Sequence, residues 1–203
     1  MGRTHEALTG FADNQRREFP NAFFWEPEKS EATHQQKLNR DLEVLLDEVK
    51  TNPTDARWWC YLGQTYECLK QYTDAVDAYR QCANRDGWAA ESSSACYRAA
   101  LCLKEIGSFR AAEEQAAFGL TRLPRSPELL WMAGFCAYQL GAMQWSIDWC
   151  ELALQCGDYT NPELGNNRMQ IVYRHPTAAY ESPYDVLRFA YRRTGQVDKA
   201  LLA

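Results

Sequence analysis

Residues 59–66 read WCYLGQTY, and residues 75–79 read AVDAY. Apolar and small residues recur every three or four positions in both stretches, which predicts two amphipathic helices. Gly63 and Ala75 stand where two antiparallel helices would cross, because small side chains let the backbones approach closely. The larger side chains expected around that crossing are Trp59, Leu62, Tyr66 and Tyr79. The pattern therefore predicts a tightly packed helical hairpin.

The order of these residues (an aromatic residue, Leu-Gly, Tyr, then Ala and a second aromatic residue) resembles the tetratricopeptide repeat. Equivalent positions follow 37 residues later at Cys96 and a further 34 residues later at Leu130, and a last copy begins near Ser182. In these three copies a glycine follows the first helix and suits a left-handed turn: Gly107, Gly141 and Gly195. The predicted fold is all-α, a tetratricopeptide-type α-solenoid of antiparallel helix hairpins with an irregular N-terminal segment.

The sequence divides into the following predicted segments. Residues 1–30 form the irregular segment, 31–51 a capping or linker helix, and 159–180 an insertion before the last hairpin. The repeats occupy about 56–89, 93–126, 127–158 and 181–203. The capping helix carries one apolar stripe, formed by Leu38, Leu42, Leu45, Leu46 and Val49. The extra residues of the second copy are expected in the connection from Gly87 to Ser93.

Composition and charge exclude several classes of protein. The net charge of −5 with both signs interspersed predicts no binding to nucleic acid or anionic lipid. No apolar run approaches the roughly 18 residues of a membrane span, and residues 1–10 lack the apolar core of a signal peptide, so we expect a cytoplasmic protein.

The eight cysteines form no C-x-x-C pair, and only three histidines accompany them, so no metal site is predicted. Most of these cysteines fall within helical patterns and are interpreted as small buried hydrophobic residues in a reducing compartment.

Function is expected at the inner surface of the solenoid, because motifs for phosphate binding or nucleophilic catalysis are missing and no cofactor is predicted. The first helix of each hairpin should present its non-core face there, and in the third copy that face is aromatic. The predicted groove for a protein or peptide partner is formed by Tyr97, Leu101, Trp131, Phe135, Tyr138, Phe189 and Arg192. The alternative is that this stripe packs against the insertion or the N-terminal segment.

Residues outside the repeats resemble a junction in family 2 glycosyltransferases. They are Arg3 to Leu8, His34, and the stretch from Lys37 to Leu45 that leads into the first repeat. The resemblance implies that His5 would lie near a sugar-nucleotide metal site with Glu6 beside it. The catalytic half with its Asp-x-Asp motif is missing from these residues, so neither His5 nor Glu6 is expected to catalyse a reaction by itself.

Two functions follow as expectations. The chain is either a non-catalytic scaffold that holds the catalytic domain of such a transferase or its acceptor, or a free-standing adaptor that binds a partner peptide in its groove. Self-association through the shortened last repeat is a further expectation.

Overall fold

The computed structural model describes residues 30–85, 87–156, 176–179 and 181–203. These residues contain helices and connections but no strand. The α-helices are α1 (Glu31–Thr51), α2 (Ala56–Cys68), α3 (Tyr72–Ala83), α4 (Ala89–Glu105), α5 (Phe109–Arg122), α6 (Pro127–Gln139), α7 (Met143–Gln155), α8 (Ser182–Arg193) and α9 (Val197–Leu202). A short 3-10 helix, Pro176–Ala179, precedes α8.

Successive helices pair into hairpins, α2 with α3, α4 with α5, α6 with α7 and α8 with α9, and each hairpin packs on the next. The first helices α4, α6 and α8 also contact one another in that order. This arrangement confirms the predicted all-α solenoid. It places the first helices side by side along one surface, which is the surface of interest for binding.

Local signals in the sequence explain where several helices begin. The Ser30 hydroxyl accepts a hydrogen bond from the backbone N–H of Thr33 at 3.2 Å. Asp55 accepts one from the N–H of Arg57 at 2.9 Å. Both side chains satisfy N–H groups that have no partner within the helix.

The close helix crossing in the first hairpin is as predicted. A Cβ atom built on Gly63 would lie 2.7 Å from the ring of Tyr79, so only glycine fits there without a shift. Ala75 and Tyr79 are fully buried beside it. Gly134 has the same role in the third hairpin, where an added Cβ would collide with the Cys150 sulfur.

The apolar stripe of α1 packs on the first hairpin. Leu45 and Val49 are buried in a cluster with Leu62 of α2 and Ala78 of α3. The helix α1 therefore covers apolar surface of the first hairpin, as the capping element of a solenoid would.

The turns inside the hairpins are left-handed. Gly107, Gly141 and Gly195 have φ angles of +73°, +81° and +77°, as their positions after the first helices predicted. In the first hairpin, Lys70 adopts the equivalent left-handed conformation, with a φ angle of 59°. A side chain in this region costs roughly 1–2 kcal/mol relative to glycine, so the first hairpin carries local strain.

The connection predicted from Gly87 to Ser93 is largely helical instead. The helix α4 begins at Ala89, and its first turns include the buried residues Ser92 and Ser93. The Ser92 hydroxyl donates a 2.8 Å hydrogen bond to the carbonyl of Ala83, the last residue of α3. This contact satisfies a carbonyl at the end of α3 and explains why the extra residues extend α4.

The cysteine prediction holds for four residues; it fails for Cys68, which is exposed, and for one pair whose thiols are not free. Cys96, Cys102, Cys136 and Cys150 are buried free thiols. In contrast, Cys60 of α2 and Cys82 of α3 are joined as a disulfide, with 5.3 Å between their Cα atoms. Their separation of 22 residues matches no short motif, so the pairing could not be inferred from spacing. The inference of a reducing compartment loses its support.

Candidate binding groove

The candidate groove is built from the first helices of the last three hairpins, with α6 in the middle. On α6 the residues that face the hairpin core are almost fully buried: Leu130, Ala133 and Ala137. Trp131, Phe135 and Tyr138 alternate with them and are only partly buried. Helical periodicity separates the two faces, and all three aromatic rings also pack against the core cluster formed by α7, α8 and α9.

The aromatic face of α6 continues onto the preceding hairpin. The rings of Trp131 and Phe135 lie 6.2 Å apart, and Phe135 meets Phe109 of α5 edge to face at 6.2 Å. The ammonium of Lys104 on α4 lies 6.0 Å from the centre of the Phe135 ring. Such rings offer apolar area and a negative face for cations.

The aromatic face also continues onto α8. The guanidinium of Arg193 lies 5.1 Å from the centre of the Tyr138 ring. Phe189 is 45% exposed, and the guanidinium of Arg188 lies 4.8 Å above its ring. Arg192 is exposed on the same helix. The groove therefore has an accessible edge on α8 that is both aromatic and basic.

The two predicted groove residues on α4 differ in accessibility. Tyr97 is only 5% exposed and belongs to the main core cluster. Leu101 is partly buried and packs against that cluster. The prediction that Tyr97 lines an accessible groove is therefore wrong, because its ring is buried in the core, whereas part of Leu101 remains exposed.

The end of the insertion contacts the helix that carries the aromatic stripe. The short helix Pro176–Ala179 contacts α6, α7 and α8, and Ala178 is fully buried. This contact is part of what the alternative interpretation of the aromatic stripe requires. The rest of the insertion lies outside the described residues, as do His5 and Glu6.

A polar network that sequence patterns do not reveal joins the first two hairpins. The Tyr79 hydroxyl donates to Glu67 at 2.6 Å, and the Arg98 guanidinium pairs with the same carboxylate at 2.9 Å. Burial raises the pKa of Tyr79, so this residue stays a neutral hydroxyl. Nothing in the sequence relates Glu67 of the first hairpin to Arg98 on the next one.

A cleft lined by both charged and apolar side chains lies at the α1 end of the stack. It has a volume of about 590 Å³ and is lined by α1 and α2, with Lys37, Arg40 and Asp41 facing Gln64 and Thr65. Its mixed charges contrast with the aromatic surface of α6.

Within the residues that the structure describes, neither a metal site nor a membrane-spanning helix is found. No group of three or more metal-ligating side chains comes together there. None of the helices described combines the length and the hydropathy that a membrane span requires.

Neither a protein-family model nor a curated protein matches this chain. Several solved structures share its fold. A crystal structure of MamA is 15% identical with a TM-score of 0.64, over 88% of this chain and 91% of that one. A MamA fragment from Desulfovibrio magneticus RS-1 is 13% identical with a TM-score of 0.59, over 84% and 83%.

A third similar structure is that of YrrB, described as a TPR protein with an unusual peptide-binding site. It is 13% identical with a TM-score of 0.59, over 83% of this chain and 75% of that one. At such identities the likeness establishes the fold, a tetratricopeptide-type α-solenoid. Nothing in these comparisons supports a connection to glycosyltransferases.

Proposed function

We propose that this chain is a non-catalytic binding scaffold, and that the groove along α4, α6 and α8 holds an extended peptide segment of a partner protein. The observation that carries the proposal is the presence of partly or fully exposed side chains on all three first helices, which contact one another in sequence. Leu101, Phe135, Tyr138, Phe189 and Arg192 all retain exposed surface there.

The chemistry of these residues indicates the chemistry of the ligand. Partly exposed aromatic rings favour apolar side chains, which would lose contact with water on binding. Arg192 and Arg193 at the α8 edge favour a carboxylate, since guanidinium groups bind carboxylates with paired hydrogen bonds. Lys104 is less available because its ammonium already pairs with Glu105 at 2.8 Å. The expected ligand is therefore an apolar segment with an acidic residue towards α8.

The structure of YrrB supports this proposal because it is a protein of similar fold for which a peptide-binding site is described. YrrB is a TPR protein with a peptide-binding site. The same fold can thus bind a peptide, and the aromatic groove is the surface of this chain that best suits one.

The test is a selection of short random peptides against the complete chain, followed by calorimetry with an enriched synthetic peptide. Phe189→Ala and Arg192→Ala should each weaken binding about tenfold or more, because aromatic and arginine side chains are among those that contribute most strongly to protein interfaces. Both residues are exposed, so the variants should keep the stability of the parent. Trp145→Ala is the control, because Trp145 is 64% exposed on α7, a second helix. Equal affinity of all three variants, or a selection that enriches no peptide, would overturn the proposal.

Association with a family 2 glycosyltransferase remains a separate proposal that rests on the junction residues from Arg3 to Leu45. A nucleotide-sugar catalytic domain encoded next to this chain, together with direct binding of that domain, would support it. Absence of binding between the two purified proteins would count against it. Self-association through the last hairpin is likewise a proposal, motivated by Leu201 and Leu202, which are 81% and 87% exposed.

A further inference from the structure

The disulfide closes the first hairpin at the end opposite its turn. Residues 69–71 join the C-terminal end of α2 to the start of α3. Cys60 lies in the second turn of α2, and Cys82 is the penultimate residue of α3. The turn therefore holds one end of the hairpin, and the sulfur–sulfur bond holds the other.

The closed end is also where the first hairpin meets the second. The Ala83 carbonyl, next to Cys82, accepts the hydrogen bond from Ser92 of α4. Arg57, three residues before Cys60, pairs with Glu91 of α4 at 3.7 Å. The bond between α2 and α3 therefore lies beside the junction between the two repeats, but it joins no residue of α4.

The two helices of the first hairpin also pack against each other through contacts that do not involve the disulfide. Gly63 of α2 packs closely against the ring of Tyr79 of α3, within the same pair of helices. Both cysteines are buried, with Cys60 7% exposed and Cys82 1% exposed. A reduced cysteine in such a place packs as a small apolar side chain. The same folded hairpin can therefore exist in a dithiol and a disulfide form.

We propose that Cys60 and Cys82 form a reversible, redox-sensitive link that sets the stability of the first hairpin without altering the groove. In the forward step the two thiols lose two protons and two electrons, and one molecule of oxidised glutathione is cleaved to two of reduced glutathione. The link stabilises the hairpin because it restricts the unfolded chain between the two cysteines. Since both sulfurs are buried, exchange with glutathione proceeds through local opening of the hairpin.

The first test is to equilibrate the complete chain with oxidised glutathione, denature it, and alkylate its remaining thiols for mass spectrometry. The proposal predicts a cross-link between Cys60 and Cys82 that carries neither label nor glutathione, with each of the other six cysteines carrying a label or a glutathione adduct, and eight labelled cysteines after reduction. Labelling of all eight after oxidation would overturn it. This readout needs no variant and so does not depend on how a substituted chain folds.

The second test measures thermal unfolding with and without dithiothreitol. Reduction should lower the midpoint of the parent chain by roughly 5–15 °C, the range expected for one disulfide in a chain of this size. The Cys60→Ala, Cys82→Ala double variant should not respond to dithiothreitol. The control variant Cys102→Ala, which alters a buried thiol that has no disulfide, should respond as the parent does. An equal response of the double variant and the parent, or no response of the parent, would contradict the proposal.

The proposal about the disulfide and the proposal about the groove can be tested independently of each other. The proposal predicts that a peptide selected for the groove binds with the same affinity before and after reduction, because Cys60 and Cys82 lie on α2 and α3 and the groove on α4, α6 and α8. A loss of affinity on reduction would contradict the localisation of the effect to the first hairpin.

Discussion

Single residues decide how each hairpin turns and how closely its helices pack. Lys70 adopts the left-handed conformation that glycines adopt in the three later hairpins. Lys70→Gly should therefore raise the free energy of unfolding by about 1 kcal/mol, since glycine reaches this conformation without steric cost. Urea unfolding of the two proteins measures the difference.

The reverse substitution provides the matched comparison. Gly141 has φ of +81° and no atom within 4 Å of the position that a Cβ would take, so Gly141→Lys changes backbone strain alone. It should lower the free energy of unfolding by about 1–2 kcal/mol. If both substitutions shifted stability in the same direction, turn conformation would not explain these positions.

The buried thiols predict how stability depends on pH. Burial raises the pKa of Cys150 from 9.0 to about 12. The thiol is thus protonated in the folded chain but ionises in the unfolded chain above pH 9, so stability falls as pH rises through 9. Cys150→Ala should remove about 1 kcal/mol of the decrease between about pH 8 and about pH 10.

Urea unfolding of the parent and of Cys150→Ala at both pH values checks this expectation. The cavity left by alanine lowers stability at each pH alike, so only the difference between the two pH values reports ionisation. An identical pH dependence of parent and variant would show that Cys150 ionises as freely in the folded chain as in the unfolded one.

At the scale of helices, α1 is as much a part of the stack as the repeats are. Leu45 is 2% exposed against α2 and α3. Leu45→Ala should lower the free energy of unfolding by about 2–4 kcal/mol, the range for a buried leucine. Glu43→Ala on the exposed side of α1 should change it by less than about 0.5 kcal/mol. Equal effects of the two substitutions would mean that α1 does not unfold together with the repeats.

The hairpins could be predicted from the sequence because their packing is local. Gly63 and Tyr79 lie 16 positions apart, within one repeat, and helical periodicity brings them together. The left-handed turns at Gly107, Gly141 and Gly195 follow from residue type. Lys70 could not be identified in this way, since lysine carries no preference for that conformation.

Features that depend on contacts between hairpins or on the pairing of distant side chains were not predictable. The network of Glu67, Tyr79 and Arg98 involves three helices, and its spacing belongs to no motif. The Cys60–Cys82 bond depends on the rotational positions of α2 and α3. The aromatic stripe on α6 was visible in the sequence, but the burial of Tyr97 and the approach of the helix Pro176–Ala179 depend on neighbouring elements.

At the scale of the whole molecule, the surface changes character along the stack. The α1 end has a cleft with charges of both signs, the middle has the aromatic rings of α6, and the α8 edge adds exposed arginines. A ligand aligned along the groove would therefore bind in one direction, with its acidic residue at α8.

The most direct test of the groove is amide hydrogen exchange of the complete chain with and without a selected peptide. The proposed function predicts slower exchange in α4, α6 and α8 on binding, and unchanged exchange in α3 and α7, which contribute no residue to the groove. Protection confined to the α1–α2 cleft or to the second helices would contradict the assignment of the groove as the binding site.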